Sequence, residues 1–331
     1  MSTADAVTGP LPESYQRAQL RRAAIASTVG TTIEWYDFLL YGQVASIVFA
    51  KLFFPKSAPL VGTLEAFGVY FVGFVARPIG AAIFGHYGDR IGRKAALIAT
   101  LLLTGLSIFA VGLVPTYDQI GIWAAVILVV LRLIQGIGVG GEWGGSVLLA
   151  MEWARTNKHR GFIASLPQFG GPAGLFLANL AVLVFSAISG PEFYTWGWRV
   201  PFYLSLVMVG IGLYIRLGII ETPVFSELVA ANRLERVPTI EVIKRQPKEV
   251  ILTALARSVE QGPAYIYFSF VFVYGSSSMV LHVSRDLLLG ALLLASCIDF
   301  LLIPLSGHIS DRYGRKRTFI IAASTVFPIT R

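Results

Sequence analysis

The chain has 331 residues, of which 55% are hydrophobic and only 14% are charged, and its mean hydropathy is +0.68. This composition is typical of an integral membrane protein and lies outside the range of ordinary soluble proteins. The single cysteine, Cys297, excludes an internal disulfide and a thiolate metal cluster. The four histidines have no metal-ligand spacing, so no metal site is predicted.

Eight apolar runs of about 20 residues, the length that crosses a bilayer as a helix, follow one another along the chain. They are centred near Leu39, Val72, Leu103, Ile127, Phe176, Met208, Tyr267 and Leu293. If the N-terminus is cytoplasmic, 19 Lys and Arg residues fall in inside segments and four fall outside. The positive-inside rule therefore predicts a cytoplasmic N-terminus. The net charge of +8 then reflects topology, and no basic surface remains for nucleic acid.

The first apolar run contains two acidic residues, Glu34 and Asp37, three positions apart and thus on one helix face. Counted from a helix start near Ala23, they lie roughly 16 to 21 Å deep, near the membrane midplane. Two carboxylates at this depth do not both stay ionised without a cation. We expect at least one of them to exchange a proton and the adjacent Tyr36 to line the same cavity.

The fourth run places Arg132 near the midplane as well. A buried guanidinium can hold a carboxylate through two parallel hydrogen bonds, so Arg132 either binds a substrate anion or is neutralised permanently by Glu34 or Asp37. Gln135 follows on the same helix, and Glu142 is a second candidate for the proton path. The intervening G-x-G-x-G pattern follows no strand, so it predicts close helix packing in lipid and not a nucleotide site.

A ten-residue segment occurs in two similar copies, GHYGDRIGRK at 85–94 and GHISDRYGRK at 307–316, offset by 222 residues. Each copy lies between two apolar runs, which predicts two related halves of the kind found in secondary transporters. Each copy is expected to be a short polar hairpin in which glycines allow a tight turn and charges hold two helices together. The alternative is that its basic residues are only topology anchors.

A polar stretch from Ile219 to Glu249, which contains three prolines, divides the chain into two parts. We expect a cytoplasmic tail at 1–22, an N-terminal six-helix bundle at 23–218, a cytoplasmic linker at 219–249 and a partial C-terminal bundle at 250–331. The tail lacks the apolar core and cleavage site of a signal peptide. A ninth apolar run begins at Thr318 but the chain stops at Arg331, so the second bundle is expected to be truncated.

Further charges lie in the seventh and eighth runs. Arg257 and Glu260 are three positions apart, and they either face the cavity or neutralise one another along their own helix. Asp299 lies about 20 Å into the eighth run. The offset of 222 residues matches Asp299 with Arg77, which is expected near the cytoplasmic end of its own helix.

Several of these stretches resemble a known family. The pattern G-x-x-x-D-R-x-G-R-[KR] in the two hairpins resembles the signature loop of the major facilitator superfamily. Three further stretches, TTIEWYDFLLYG at 31–42, RLIQGIGVGGEWGG at 132–145 and RLGIIETPVF at 216–225, resemble its metabolite:H+ symporter family. The resemblance spans 31–317 and implies an all-α, multi-pass membrane helical bundle. In the family, twelve helices form two six-helix bundles, so this chain would have the first bundle complete and the second in part.

The resemblance implies proton-coupled uptake, across a bacterial cytoplasmic membrane, of a small organic acid such as a dicarboxylate or shikimate, or of a zwitterion such as proline or betaine. We expect proton coupling at Glu34, Asp37 and Glu142. Substrate binding is expected at Arg132, Gln135, Tyr36, Arg257, Glu260 and Asp299. The residues expected to form the cytoplasmic gate are Gly88, Asp89, Arg90, Gly92, Arg93, Asp311, Arg312, Gly314 and Arg315.

The expected partners are the small-molecule substrate, protons and membrane lipid. No enzymatic activity, cofactor, metal or obligate protein partner is predicted, because no nucleophile elbow, phosphate loop or metal cluster occurs in the sequence. Two alternatives remain open. One is a truncated, inactive transporter fragment or a membrane scaffold that does not transport, and the other is an antiporter or uniporter of the same fold.

Overall fold

The structure is a computed structural model that describes residues 13–154, 159–230, 238–265 and 285–326. These residues form helices and turns, and no strand occurs among them. The long helices, numbered in chain order, are α1 (Glu13–Val44), α2 (Pro59–Ile91), α3 (Arg93–Leu113), α4 (Trp123–Trp153), α5 (Gly170–Ser189), α6 (Val200–Leu217), α7 (Pro247–Tyr265), α8 (Arg285–Tyr313) and α9 (Arg315–Val326). Shorter helical segments are Ala45–Phe49, Ala50–Phe53, Tyr117–Ile120, Arg160–Ser165, Leu166–Phe169, Gly190–Tyr194, Gly197–Arg199, Pro223–Ala230 and Pro238–Arg245.

The described residues divide into two compact units. The first unit comprises 13–154 and 166–230 and contains α1 to α6; the second comprises 159–165, 238–265 and 285–326 and contains α7 to α9. Within the first unit, α4 packs against α1, α2 and α3, while α6 packs against α1 and α3. A core of buried aromatic and aliphatic side chains, including Tyr41, Phe49, Trp198 and Phe202, fills the centre of this unit.

Five segments of the described residues are long and apolar enough to cross a membrane. They are Val61–Ile91, Arg93–Leu113, Trp123–Trp153, Arg160–Tyr194 and Gly197–Leu217. These segments contain the centres of the second to sixth predicted runs. The first and eighth centres lie within α1 and α8, and the seventh, near Tyr267, lies outside the described residues.

A seam of glycines brings α2 and α4 into close contact. A Cβ atom added to Gly136 would overlap the carbonyl oxygen of Gly73, and one added to Gly140 would overlap the carbonyl oxygen of Arg77. Small residues let membrane helices approach until their backbones touch. The prediction that the G-x-G-x-G pattern serves close helix packing is therefore confirmed. α2 continues for 14 residues beyond Arg77, to Ile91, so the expected position of Arg77 near the end of this helix was wrong.

The two repeated segments are mostly helical, which corrects the prediction of polar hairpin loops. α2 continues to Ile91 and α8 continues to Tyr313, so only Gly92 and Gly314 interrupt the helices. Both glycines have positive φ, at 118° and 92°, a region that residues with a Cβ rarely adopt. Gly88 lies within the last turns of α2 and makes no turn. The charged residues of each copy are spaced for helical faces, and this spacing allows the helix to continue through them.

The predicted tail at 1–22 and the predicted linker at 219–249 both contain helix in the structure. α1 begins at Glu13, so residues 13–22 of the predicted tail extend the first helix. Within the predicted linker lie Pro223–Ala230, Pro238–Arg245 and the start of α7 at Pro247. Each of these three begins with a proline, which is well suited to a first helical position because its fixed φ matches the helix and the missing N–H has no intrahelical partner there. The three prolines, which mark the predicted linker in the sequence, begin helices in the structure.

Candidate functional site

Asp37 is completely buried on α1, where it faces α6. Its Oδ1 accepts a hydrogen bond of 2.8 Å from Ser205 Oγ, whereas Oδ2 has no hydrogen-bond partner among the described residues. Asp37 also interacts electrostatically with Arg132 and with Glu34, whose side chain is 6% exposed. An unsatisfied carboxylate oxygen inside a bundle is costly and is therefore a place where a proton or a ligand group can bind.

Arg132 is buried on α4 and is only partly satisfied. Its Nη1 donates to Gln135 Oε1, and its Cζ lies 3.2 Å from the centroid of the Tyr41 ring. Its Nε and Nη2 have no acceptor among the described residues, and Gln135 Nε2 is likewise without a partner. The guanidinium therefore keeps N–H donors that an anion can use.

No direct salt bridge joins Asp37 to Arg132 in the described part of the chain, although the two charges interact. The sequence left open whether Arg132 is neutralised by Glu34 or Asp37 or is available to a substrate. The observed contacts, a hydrogen bond to Gln135 and a stacked Tyr41 ring, leave donors on Arg132 and an acceptor on Asp37 unused. The site thus offers a donor set for a carboxylate beside a buried acid.

Tyr36 is 2% exposed, and its hydroxyl donates to the carbonyl oxygen of Pro201 at 2.7 Å. It also lines an apolar crevice of about 500 Å³ together with Ile33, Leu204 and Met208. This hydroxyl is already used within the protein, so it does not reach a substrate in this structure. The proposed role of Tyr36 in substrate binding stays a prediction.

Glu142 lies in a closed polar cluster on the same helix as Arg132. Its carboxylate forms an ion pair with Arg216 of α6 and accepts hydrogen bonds from Thr100 Oγ1 at 2.6 Å and Ser146 Oγ at 3.3 Å. Arg216 also donates to the carbonyl oxygen of Leu97 on α3. Both charged residues are buried. No sequence pattern identifies Arg216 as the partner of Glu142. The role of Glu142 in proton coupling stays a prediction.

A second polar cluster surrounds the first repeated segment. Arg93 forms salt bridges with Asp89 at 2.5 Å and Glu152 at 3.3 Å. Glu221, which follows α6, accepts the backbone N–H groups of Arg93 at 3.1 Å and Lys94 at 3.3 Å, at the start of α3. Sequence reasoning missed both Glu152 and Glu221, although Glu221 lies in the stretch RLGIIETPVF that it singled out.

The carboxyl group of Glu221 lies outside the membrane-spanning segments and is half-buried. Burial raises its pKa above the ordinary value, and the backbone N–H groups of Thr222, Lys94 and Arg93 act in the opposite direction without cancelling the effect. The other predicted gate residue of this copy, Arg90, lies 3.4 Å from the His86 ring through its Nη1. The first repeated segment is thus held to α4 and to the segment after α6.

The second repeated segment uses its aspartate in another way. Asp311 accepts the backbone N–H groups of Gly161 at 2.7 Å and Phe162 at 3.0 Å, within the second unit. Burial raises the pKa of the Asp311 carboxyl, but these two N–H groups, together with Arg315 and His159, outweigh burial and hold the pKa below its ordinary value. The side chains of Arg312 and Arg315 are exposed.

The remaining predicted substrate residues belong to the second unit. Arg257 on α7 and Asp299 on α8 are half-buried. The side chain of Glu260 lies outside the described residues. The expectation that these three residues share a cavity with Arg132 stays a prediction.

Comparison with known proteins identifies the family. The model of the family described as sugar (and other) transporter matches residues 23–261. The chain belongs to this family. It is 40% identical over 328 residues to the shikimate transporter of Escherichia coli K12, covering 97% of this chain and 74% of that protein. It is 35% identical to the proline/betaine transporter of the same organism, covering 93% of this chain and 63% of that protein.

The fold is that of the major facilitator superfamily. The chain superimposes on the solved proton:xylose symporter XylE, bound to 6-bromo-6-deoxy-D-glucose, with a TM-score of 0.68 at 18% identity, covering 92% of this chain and 71% of that one. Together with the family match, this confirms the predicted superfamily, the all-α membrane fold and a transporter in place of an enzyme. The relatives act on small molecules, as their names state, and so does this transporter family.

Proposed function

We propose that this transporter is a symporter that imports a small carboxylate or zwitterion together with a proton. The observation that carries the proposal is the open arrangement of Asp37 and Arg132. Among the described residues, Asp37 Oδ2 and the Nε and Nη2 atoms of Arg132 are buried without hydrogen-bond partners, and no salt bridge joins the two side chains. A proton would bind Asp37, and the carboxylate of the solute would bind Arg132.

Charge balance gives the coupling its physical reason. A solute carboxylate that binds Arg132 removes the cation that helps keep Asp37 ionised, so proton and anion favour each other's binding. The proton and the solute carboxylate together have no net charge, so they cross the membrane at a lower free-energy cost than either charge alone. The names of the shikimate and proline/betaine relatives support a substrate that carries a carboxylate. The distribution of Lys and Arg supports a cytoplasmic N-terminus.

The test measures solute-driven proton movement in proteoliposomes that contain the 331-residue chain. Shikimate, proline, betaine and succinate are added separately, and the internal pH is followed with a trapped dye. Uptake of one of them with acidification of the lumen is expected. Asp37→Asn should abolish the proton movement while solute binding remains, because the amide keeps the hydrogen bond from Ser205 but does not take up a proton.

Asp118→Asn is the matched control, since Asp118 is an exposed acid on the short helix Tyr117–Ile120 and should leave the proton movement unchanged. Uptake without proton movement would contradict the proposal in favour of a uniporter. Proton movement in the opposite direction would contradict it in favour of an antiporter. No uptake and no binding of any of the four solutes by correctly inserted protein would also overturn it.

A further inference from the structure

An apolar crevice lies among α1, α5 and α6 of the first unit. It has a volume of about 500 Å³, and apart from Thr32 every side chain that lines it is aliphatic, aromatic or a methionine. Both α5 and α6 pack against α1, whose Ile33 and Tyr36 are buried, whereas Val207 and Ile211 of α6 are 60% and 52% exposed. The crevice therefore has α1 as its floor and opens between α5 and α6.

The crevice suits a hydrocarbon chain and not a polar solute. The two lining side chains that carry hydroxyl groups use them within the protein. Thr32 Oγ1 donates to the carbonyl oxygen of Thr28 at 2.8 Å, and the Tyr36 hydroxyl donates to a carbonyl oxygen of α6. Both α5 and α6 lie in segments long and apolar enough to cross a membrane. The opening is thus at the depth of lipid acyl chains, which bind such surfaces by van der Waals packing.

Arg22 lies on the same face of α1 as the crevice. It is followed by Val29, Ile33 and Tyr36 at intervals of seven, four and three residues, the spacing of one helix face. Arg22 is exposed, and its Nη1 donates to the carbonyl oxygen of Gly218 at 3.3 Å, directly after the last turn of α6. This bond uses one N–H group of the guanidinium and leaves others for an anion. A cation therefore lies where α1 and α6 meet at one end of the crevice.

The distances along α1 match one leaflet of a bilayer. Val29, at the near end of the crevice, is about 10 Å from Arg22 along the helix axis, and Tyr36, at the far end, is about 21 Å away. A bilayer with its headgroups is about 40–45 Å thick, so a headgroup lies about 20 Å from the midplane. A phospholipid whose phosphate contacts Arg22 can therefore extend an acyl chain through the crevice to Tyr36.

The start of α1 also has the charge that an anionic headgroup requires. Arg17, Arg21 and Arg22 lie in its first ten residues, and no acidic residue occurs between Glu13 and Glu34. The cytoplasmic N-terminus proposed above places these arginines at the cytoplasmic leaflet, where anionic phospholipids produce a negative surface potential. Basic sites between membrane helices on that side bind anionic headgroups.

We propose that this crevice binds one acyl chain of an anionic phospholipid and that Arg22 binds the phosphate of its headgroup. The bound chain packs on Ile33 and Tyr36 and fills the space between α5 and α6. The inference is independent of the proposed symport, because neither Asp37 nor Arg132 lines the crevice.

The headgroup is tested by native mass spectrometry of the 331-residue chain, titrated in detergent with phosphatidylglycerol or phosphatidylcholine of identical acyl chains. Wild-type protein should bind phosphatidylglycerol more tightly. Arg22→Gln should weaken this binding about fivefold to tenfold, the effect of one lost charge-assisted contact. Arg21→Gln is the matched control, because Arg21 is an exposed arginine one residue away and about 100° around the helix. It should change the affinity less than about twofold.

The acyl chain is tested by filling the crevice. Val207→Trp places a large ring in the opening and should weaken phosphatidylglycerol at least about fivefold. Leu206→Trp is its control, since Leu206 is also exposed on α6 but does not line the crevice. Both positions are exposed, so neither ring has to fit into the packed core, and this pair tests the inference even if Arg22→Gln fails to fold.

Four results would overturn the inference. Equal weakening by Arg21→Gln and Arg22→Gln would show general attraction to a basic surface, and equal effects of the two tryptophan variants would show that the crevice holds no chain. Equal wild-type affinity for the two lipids would remove the role of the anionic headgroup. Displacement of phosphatidylglycerol by an equal concentration of glycerol 3-phosphate, which has the phosphate but no acyl chain, would show a site for soluble phosphates.

Discussion

Among the described residues, two buried acid–arginine pairs have a member on α4, and they differ in how completely their polar atoms are satisfied. Glu142 and Arg216 form a closed ion pair with hydrogen bonds from Thr100 and Ser146. Arg132 lies ten residues earlier on α4, about 15 Å along the helix. Within the part of the chain that the structure describes, it forms no salt bridge with Asp37, and both side chains keep polar atoms without hydrogen-bond partners. The two pairs are made of the same chemical groups and are equally buried.

The difference indicates which pair is structural and which is reactive. Removing one partner of a closed buried pair strongly lowers the stability of the protein, because the other charge stays buried and unpaired. In an open pair, the folded protein already bears the free-energy cost of buried polar atoms without partners. A bound proton or solute can lower this cost. Gly30 of α1 packs directly on the closed pair, since an added Cβ atom would overlap both Arg216 and Glu142. The closed pair therefore joins α1, α3, α4 and α6 and supports the helix that carries Asp37.

The closed pair should give the largest effect on stability. Arg216→Gln is expected to lower the free energy of unfolding by about 3–5 kcal/mol, because it leaves Glu142 buried without a cation. The double variant Arg216→Gln with Glu142→Gln should lose less than the single variant, since no charge remains unpaired. Unfolding in mixed micelles with increasing dodecyl sulfate measures both. A double variant that is less stable than the single one would show that the pair does not act as a unit.

The open pair should behave in the opposite way. Asp37→Asn is expected to change the free energy of unfolding by less than about 1 kcal/mol, because the amide keeps the acceptor for Ser205 and removes an incompletely satisfied buried acid. The same micelle titration measures it alongside Arg216→Gln. Functional residues are often retained at a cost in stability, so a stable variant without proton movement would sharpen the contrast. A loss similar to that of Arg216→Gln would remove the distinction between the two pairs.

Hydrophobic periodicity and glycine spacing were sufficient to predict much of the fold. The second to sixth apolar runs are helices, and the glycines of α4 lie in the contact with α2 because small residues at helical spacing have few other uses in lipid. Helix formation and the spacing of small residues depend on local sequence, so the sequence alone is sufficient to predict them.

Partner choice could not be predicted in the same way. Glu142 pairs with Arg216, 74 residues further along the chain, and Arg93 is capped by Glu221, 128 residues away. Periodicity tells which face of a helix a side chain occupies but not which helix lies opposite. The repeated segments show this limit most clearly. Both segments have the same helix–glycine–helix geometry. However, Asp89 forms a salt bridge with Arg93 of its own segment, whereas Asp311 accepts hydrogen bonds from the backbone N–H groups of Gly161 and Phe162.

The smallest effect on stability is expected at Glu221. Its carboxyl group is intermediate between the closed pair and the open pair. Its carboxylate accepts backbone N–H groups but forms no salt bridge with a described residue, and burial raises its pKa. A folded-state pKa above the unfolded value means that the folded protein binds the proton more tightly, so this contribution to stability is complete below the unfolded pKa. It is lost as the pH rises through the folded pKa. Backbone donors alone therefore do not fully offset the cost of burying this acid.

Glu221→Gln should remove this part of the pH dependence. Wild-type protein is expected to lose stability as the pH rises from the ordinary glutamate range through the raised pKa, whereas the variant, which stays neutral, should show a flatter profile across the same window. Thermal unfolding between pH 4 and pH 8, a range of about four units that brackets the ordinary carboxyl pKa, measures the difference. Glu249→Gln, a change at an exposed acid in the first turn of α7, serves as the control and should leave the profile unchanged. A Glu221→Gln profile parallel to that of the wild type would show that the three N–H groups satisfy the carboxylate as well as a cation does, and the contrast with the closed pair would then rest on Asp37 alone.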